Sequence, residues 1–351
     1  MQARDPVEWV PKKPLNKELV DKYLSESIES NHFTNGGPNV TNLENFIMEK
    51  FDICDSTKKV ICVCNGSSAI QVLCAAIQYV EGDFKWATQS FTFPPSAQSI
   101  LKGSDIVDID EEGGLDLSKL TESAKGIIVT NIFGNVVDIR KYEAYAESSG
   151  KFLVFDNAAT PYTTYEGKNA CNYGHGCVIS FHHTKPLGFG EGGAIVVDRK
   201  YEVAVRRLIN FGLDNLHPEV KWHPDASNHK MSDVAAVYIL QYLDSMGDII
   251  AIHKKLYSYM KRKLQHITDI RFYPSFGDET PFVSCFSLLF ESYNDEIREK
   301  LIKNGVFCRK YYKPLVETPT AVEFYKKILC VPCNRDMTYG DIDLICSIIT
   351  A

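Results

Sequence analysis

The 351-residue sequence predicts an α/β fold, a mixed, mostly parallel sheet with helices on both faces, plus a smaller C-terminal α+β domain. Three observations carry that reading. Short apolar runs recur between residues 59 and 198 and alternate with helix-periodic segments, as parallel strands covered on both faces require. Two of the runs, CVISFHH and AIVVD, stand so close together that they read as neighbouring antiparallel strands. From about 230 the pattern turns helical, and after 271 short strands and helices alternate. These features place a boundary near 245, between a large domain, 1–245, and a small one, 246–351.

The elements follow in order. A short polar helix covers roughly Lys17 to Ser30, then a loop HFTNGGPN leads to a helix entered at Val40 to Asn42. KVICVC, 59–64, reads as a buried strand, and NGSS opens the apolar helical run AIQVLCAAIQYV. A strand near 85–89, a helix near 95–101 and strands at DIVDID and GIIVTNIF come next. The helix RKYEAYAESSG and the strand KFLVFD lead to the antiparallel pair. Two long helices, SDVAAVYILQYLDSM and AIHKKLYSYMKRKLQHI, show apolar residues at i, i+3 and i+4.

Bulk properties exclude several function classes. With 44% hydrophobic and 24% charged residues, the composition is that of a globular protein rather than a disordered or fibrous one. A net charge of -7 argues against a surface built to neutralise a nucleic-acid backbone. No apolar run is long enough to span a bilayer and the first residues hold no apolar leader core, so no membrane partner and a cytoplasmic location are expected. The 11 cysteines are scattered, several of them inside apolar runs, which argues against a disulfide framework, and Cys62, Cys64 and Cys74 read as buried small hydrophobes. Cys62 and Cys64 form a CxC on a strand with both side chains on one face. Cys330 and Cys333 read as ordinary thiols flanking a proline turn, and no metal site is predicted.

Ligands of α/β sheets sit at the carboxyl ends of strands, which directs attention to three places. Asn65, Gly66, Ser67 and Ser68 join a strand to a helix, where free N–H groups and the helix dipole favour an anion. A plain helix cap by Ser67 or Ser68 fits the same residues. Asp156 follows KFLVF directly, and a carboxylate at the mouth of a buried strand calls for a cation or several donors; a turn aspartate is the alternative. Lys185 lies in SFHHTKPLGFGEGG, held near the sheet between two strands, where a lysine acquires a depressed pKa and attacks an aldehyde. A surface lysine is the competing reading. Anion site, strand-end aspartate and strand-end lysine in that order are the parts that hold pyridoxal phosphate.

The strings NGSSAIQVL, SFTFPPSAQSI, DIDEEGGLDL, FGNVVDIRKYEAYAESSGKFLVFDNAA, SFHHTKPLGFGEGGAIVV, SNHKMSDVAAVYILQYL and RKYYKPL resemble successive blocks of the DegT/DnrJ/StrS family of sugar aminotransferases, over most of the chain. The resemblance implies that Lys185 forms the Schiff base with pyridoxal phosphate and later moves the proton, and that Asp156 holds the pyridine nitrogen. It places Gly66, Ser67 and Ser180 on the phosphate, Phe93 on the ring face, and Asn228 on the phosphate of the neighbouring subunit in a homodimer. Two departures stand out: Ala159 where the family often has glutamine or histidine, and Lys230 where it usually has arginine.

By the same resemblance the amino donor is L-glutamate, and the acceptor is a nucleotide-linked 4-keto-6-deoxyhexose, with UDP or dTDP as carrier. The product is then a 4-amino-4,6-dideoxy sugar such as viosamine, and a 3-keto acceptor is the runner-up. Arg309, Tyr311 and Tyr312 contact the nucleotide diphosphate in this reading; plain packing of the tyrosines is the alternative. Family dehydratases carry histidine in place of the lysine, and Lys185 is retained here. A non-catalytic regulator that keeps the fold is the reading of a different class, and the joint presence of Lys185 and Asp156 speaks against it.

Overall fold

A computed structural model describes residues 5–214, 217, 219, 221–293 and 295–351. Helices α1 (Lys17–Ser30) and α2 (Pro38–Lys50) precede strand β1 (Lys58–Val63), which leads directly to α3 (Gly66–Glu81). Strands β2 (Lys85–Gln89), β3 (Asp105–Val107) and β4 (Ala124–Thr130) follow, then α4 (Ile139–Ser149) and β5 (Phe152–Asp156). A small hairpin of β6 (Thr164–Tyr165) and β7 (Lys168–Asn169) precedes β8 (Gly176–Ser180) and β9 (Gly193–Asp198). Helices α5 (Glu202–Leu208), α6 (Asp233–Leu243) and α7 (Met246–Leu264) come next. The remainder holds β10 (Ile270–Phe272), β11 (Cys285–Phe290), α8 (Asp295–Lys303), α9 (Pro319–Lys327), β12 (Ile328–Pro332) and α10 (Tyr339–Ile349).

The principal sheet has seven strands in the order β1-β9-β8-β5-β4-β2-β3. The pairs β8/β5, β5/β4, β4/β2 and β2/β3 are parallel, whereas β9 runs antiparallel to both β8 and β1. The expected antiparallel neighbours are therefore β8 and β9, joined by the turn that carries Lys185. Both sheet faces are covered: Leu43, Ile47, Ile239 and Leu240 from α2 and α6 bury one, and Ile70, Leu73, Ile77 and Val205 from α3 and α5 bury the other. Full burial of each such side chain contributes about 1.5–3 kcal/mol. A second sheet, β10-β11-β12, is antiparallel throughout.

Local geometry departs from the sequence expectation in four places. The helix expected near 95–101 is two short 3-10 turns, Pro94–Ala97 and Ser99–Leu101, because Gln98 is extended and Ser99 has φ of 55°. The second helix begins at Pro38, before the expected Val40, since Pro suits the first helical turn. The strands at DIVDID and GIIVTNIF end early, at Val107 and Thr130. β1 stops at Val63, so Cys62 is buried in the strand while Cys64 lies beyond it and donates to Ser68 at 3.3 Å; the two thiols do not share a strand face. All cysteines are free thiols, Cys330 and Cys333 included, both of them buried. Among the described residues no single helix is long and apolar enough to cross a membrane, and no group of His, Cys, Asp and Glu is arranged to hold a metal ion.

One carboxylate fastens the C-terminal segment to the large sheet. Asp108, buried just past β3, accepts from Thr318 Oγ1 at 2.7 Å, Ala321 N at 3.0 Å, Thr320 N at 3.1 Å and Lys119 Nζ at 3.1 Å. It thus satisfies the free N–H groups at the start of α9 from another element. Burial opposes its charge, but the bonds from Thr318, Thr320, Lys119 and Ala321 outweigh burial and hold its pKa well below the usual carboxylate range. A carboxyl depressed on folding contributes stability above its unfolded pKa, and that contribution is lost as pH falls below about 4. Asp108→Ala is expected to lower the unfolding free energy by about 3 kcal/mol at neutral pH. Asp108→Asn should flatten the acid limb of stability against pH, and an acid limb unchanged from wild type would refute the assignment.

Candidate active site

The strand register lines up the polar residues that the sequence singled out. Gly193, first in β9, pairs with Val63 on one side and Ser180 on the other. Asp156, last in β5, pairs with Val178 and with Thr130. The ends of β1, β5 and β8 therefore open on one edge of the sheet.

The first group on that edge is the amino end of α3. Asn65 caps the helix by accepting from Ser68 N at 2.8 Å, so the cap is neither Ser67 nor Ser68. Ser67 is exposed and Ser68 buried. A Cβ on Gly66 would lie 3.0 Å from Ser180 Cβ, and one on Gly193 would lie 2.5 Å from the Asn65 carbonyl carbon. Two glycines thus let helix, β8 and β9 approach so closely that Gly66 and Ser180 stand side by side. Ser180 is buried, and its Oγ accepts from His182 N at 3.3 Å. The helix end, with its unpaired N–H groups, suits a phosphate.

The second group is Asp156, Lys185 and Tyr312. Asp156 is buried, and among the described residues its carboxylate receives one hydrogen bond, from Ala158 N at 3.0 Å. Burial pushes its pKa up, while Ala158 N–H and the Lys185 charge pull it down. Burial pushes the pKa of Lys185 down, against Asp156 and Cys285, which favour its charged form. A lowered lysine pKa raises the fraction present as a nucleophilic amine. The carboxylate is under-satisfied and fits a protonated ring nitrogen, as the pyridine of pyridoxal phosphate provides.

Aromatic rings wall this edge. Phe93 is 57% exposed, with its ring centroid 6.0 Å from that of Tyr312. Tyr312 stacks on Phe133 at 5.2 Å and on Tyr311 at 5.4 Å, and Trp9 meets Tyr311 edge-on at 5.9 Å. Burial, followed by Cys285 and Asp156, pushes the Tyr312 hydroxyl far above its usual range. Leu315 N donates to Ser90 O at 2.8 Å, which brings the segment after Tyr312 onto the end of β2.

Two predicted residues lie apart from this cluster. Arg309 is exposed and exchanges backbone hydrogen bonds with Cys330. Asn228 is exposed and bridges Asn210, while the next residues rest on α3 of their own chain: His229 O accepts from Cys64 N at 2.8 Å, and His229 Nδ1 lies 3.0 Å from Ser68 Oγ. Lys230 donates to Asn210 Oδ1 at 2.8 Å and sits over the Phe211 ring. Ala159 is buried and adds no polar group. One residue near the cluster escaped the sequence reading: Lys13, whose ammonium reaches the Lys185 turn. A cavity of about 580 Å³ bounded by Glu143, Leu153, His175 and Asp198 lies at the opposite edge, where β5 and β8 begin, away from these groups.

A family model for the DegT/DnrJ/EryC1/StrS aminotransferases matches residues 14–350. The chain belongs to that family. This aminotransferase depends on pyridoxal phosphate. It is 26% identical to a dTDP-4-amino-4,6-dideoxy-D-glucose transaminase of Shigella dysenteriae, covering 97% of this chain and 96% of the relative. Similarity to the UDP-2-acetamido-2-deoxy-3-oxo-D-glucuronate aminotransferase of Pseudomonas aeruginosa is 25% identity over 90% of each chain. In fold the aminotransferase matches DesI, crystallised in the presence of its TDP-sugar product, with a TM-score of 0.85 at 21% identity over 99% of this chain and 93% of that one.

Proposed function

We propose that this aminotransferase moves the amino group of L-glutamate onto a nucleotide-linked 4-keto-6-deoxyhexose, carried by UDP or dTDP, to give a 4-amino-4,6-dideoxy sugar such as viosamine. The observation that carries the proposal is the convergence of Lys185 and the under-satisfied Asp156 beside the Gly66 and Ser180 pair, on one sheet edge. When bound, pyridoxal phosphate supplies an electron sink for the carbon that gains or loses the amine. Lys185 Nζ, whose pKa burial lowers against the opposing charges of Asp156 and Cys285, takes and returns the proton at that carbon. Asp156 holds positive charge at the ring nitrogen, and Gly66, Ser67 and Ser180 hold the phosphate at the end of α3. Phe93 covers the ring face, and Tyr311, Tyr312 and Arg309 meet the nucleotide diphosphate.

Support for the 4-keto acceptor comes from the Shigella relative, whose name specifies a 4-amino-4,6-dideoxy sugar. The Pseudomonas relative, named for a 3-oxo sugar, favours a 3-keto acceptor as the second reading. Lys185 stands against a dehydratase. We place the enzyme in the cytoplasm as a homodimer, with Asn228 serving the partner's phosphate site. Exposed Phe211, Leu213 and Trp222, which is 70% exposed, support a partner surface near Asn228.

The test begins with absorbance of the cofactor-loaded protein. L-Glutamate is expected to replace its visible band with one at shorter wavelength, and one equivalent of 2-oxoglutarate should appear per site. Turnover is then compared across UDP- and dTDP-linked 4-keto and 3-keto sugars. A kcat/KM higher by about tenfold or more for a 4-keto sugar is expected; a 3-keto preference overturns the acceptor, and indifference to glutamate overturns the donor.

A further inference from the structure

We propose that Lys13 is a positioning residue that clamps the turn carrying Lys185. The positioning role rests on Lys185 as the catalytic lysine, whereas the clamp itself stands on geometry alone. Lys13 Nζ donates to His183 O at 2.6 Å, to Lys185 O at 2.8 Å and to Gly188 O. Burial lowers the pKa of Lys13 to about 7; when protonated, its three ammonium protons meet three carbonyls of one turn, one of which belongs to Lys185 itself. The Tyr242 ring lies 4.8 Å below the ammonium.

The turn needs such a clamp. Its own backbone bonds tie its base and its close, His183 N to Gly190 O at 2.8 Å, Lys185 N to His182 O at 2.8 Å and Gly188 N to Lys185 O at 3.0 Å, and none of them reaches the His183 carbonyl. The carbonyls of His183 and Lys185 face Lys13 rather than a strand. Without Lys13 the His183 carbonyl loses its donor and the Lys185 carbonyl keeps only Gly188 N, a loss that the turn relieves by moving.

Lys13 in turn is fixed from both sides. Val7 N donates to Gly305 O at 2.8 Å and accepts at its carbonyl from Phe307 N at 3.0 Å. Asn334 Nδ2 donates to Glu8 O at 2.8 Å, and Lys12 N donates to Asp336 Oδ2 at 2.7 Å. Beyond Lys13, Asn16 N donates to Gln241 Oε1 at 3.0 Å. Residues 7–12 therefore lie along the C-terminal segment that carries Tyr311, and Lys13 passes that anchorage to the Lys185 turn. A lysine held this way orients the chain that bears the reacting amine, and small errors there are costly to rate.

The experiment compares wild type with Lys13→Met, which keeps the stem and removes the donors, and Lys13→Arg, which restores donors. Amide hydrogen exchange is followed by mass spectrometry on protein without added cofactor. In Lys13→Met, exchange in residues 182–192 should rise by about tenfold or more, with α6 and α7 unchanged. With cofactor, kcat for glutamate should fall about tenfold or more while KM for glutamate stays within about threefold, and Lys13→Arg should recover much of both. If Lys13→Met does not fold, Lys13→Gln gives the same reading with fewer donors. Exchange accelerated evenly along the chain, or a loosened turn with unchanged kcat, would falsify the positioning role. A locally loosened turn in a protein whose wild type shows no glutamate turnover sinks the functional reading and leaves the clamp in place.

Discussion

Lys185→Ala is expected to lower transamination by about 10⁴-fold, because it removes the one group placed to take and return the substrate proton. Cofactor binding should survive, weakened, since the variant leaves untouched Asp156 and the Gly66 and Ser180 edge, to which the proposal assigns the ring nitrogen and the phosphate. The visible absorbance should then differ from wild type and stay unchanged on adding glutamate. Lys185→Arg should fare no better: a guanidinium stays charged and cannot act as a neutral base. Small primary amines in the buffer should restore part of the lost rate to Lys185→Ala by occupying the vacated space. Equilibrium binding of pyridoxal phosphate and single-turnover kinetics with glutamate measure these effects. A variant within tenfold of wild type would remove Lys185 from the chemistry.

Much of this site was legible because its parts sit where local pattern changes. The apolar run of β1 gives way to NGSS before the helical run AIQVL, so a strand-to-helix turn was legible there, although the first helical residue, Gly66, was not. Asp156 is a charge at the end of four apolar residues, and Lys185 a charge between two such runs. Each breaks a local rule, and such breaks are expected at functional sites. The rest depended on contacts between distant parts of the chain. Asn65, not a serine, caps α3, since both serine and asparagine suit that position and only the backbone geometry chooses. The close approach of Gly193 to Asn65 depends on which strand lies beside β1. Lys13 had no legible signal, because its partners are backbone carbonyls 170 to 175 residues away along the chain, and carbonyls carry no side-chain signature. The helix expected at 95–101 failed for a local reason, as an extended Gln98 and the positive φ of Ser99 break the ladder after Ala97.

Asp156→Asn separates what the site needs from what the fold prefers. The carboxylate is buried, receives a single hydrogen bond, from Ala158 N, among the described residues, and has its pKa raised by burial on folding. A carboxyl whose pKa is raised on folding binds more protons in the native state. Its ionised form therefore costs stability, and the cost grows as pH rises through the interval above the unfolded value of about 3.9 until the folded pKa is passed. The cofactor-free protein therefore bears a cost for whatever fraction of Asp156 is ionised, a cost that burial creates and that Ala158 N–H and Lys185 offset in part. An asparagine keeps the oxygen that accepts from Ala158 N and removes the charge, so cofactor-free Asp156→Asn should melt no lower than wild type. Activity should move the other way: without a carboxylate the ring nitrogen loses its partner for positive charge, the electron sink weakens, and kcat should fall by about 10³-fold. Thermal melts of cofactor-free protein at several pH values and kcat for glutamate test the two halves separately. Loss of both stability and activity would mark Asp156 as a structural carboxylate, whereas retained activity would show that the ring nitrogen needs no anion here. Opposite changes from a single neutral replacement are what a carboxylate kept for chemistry at the expense of the empty fold should give.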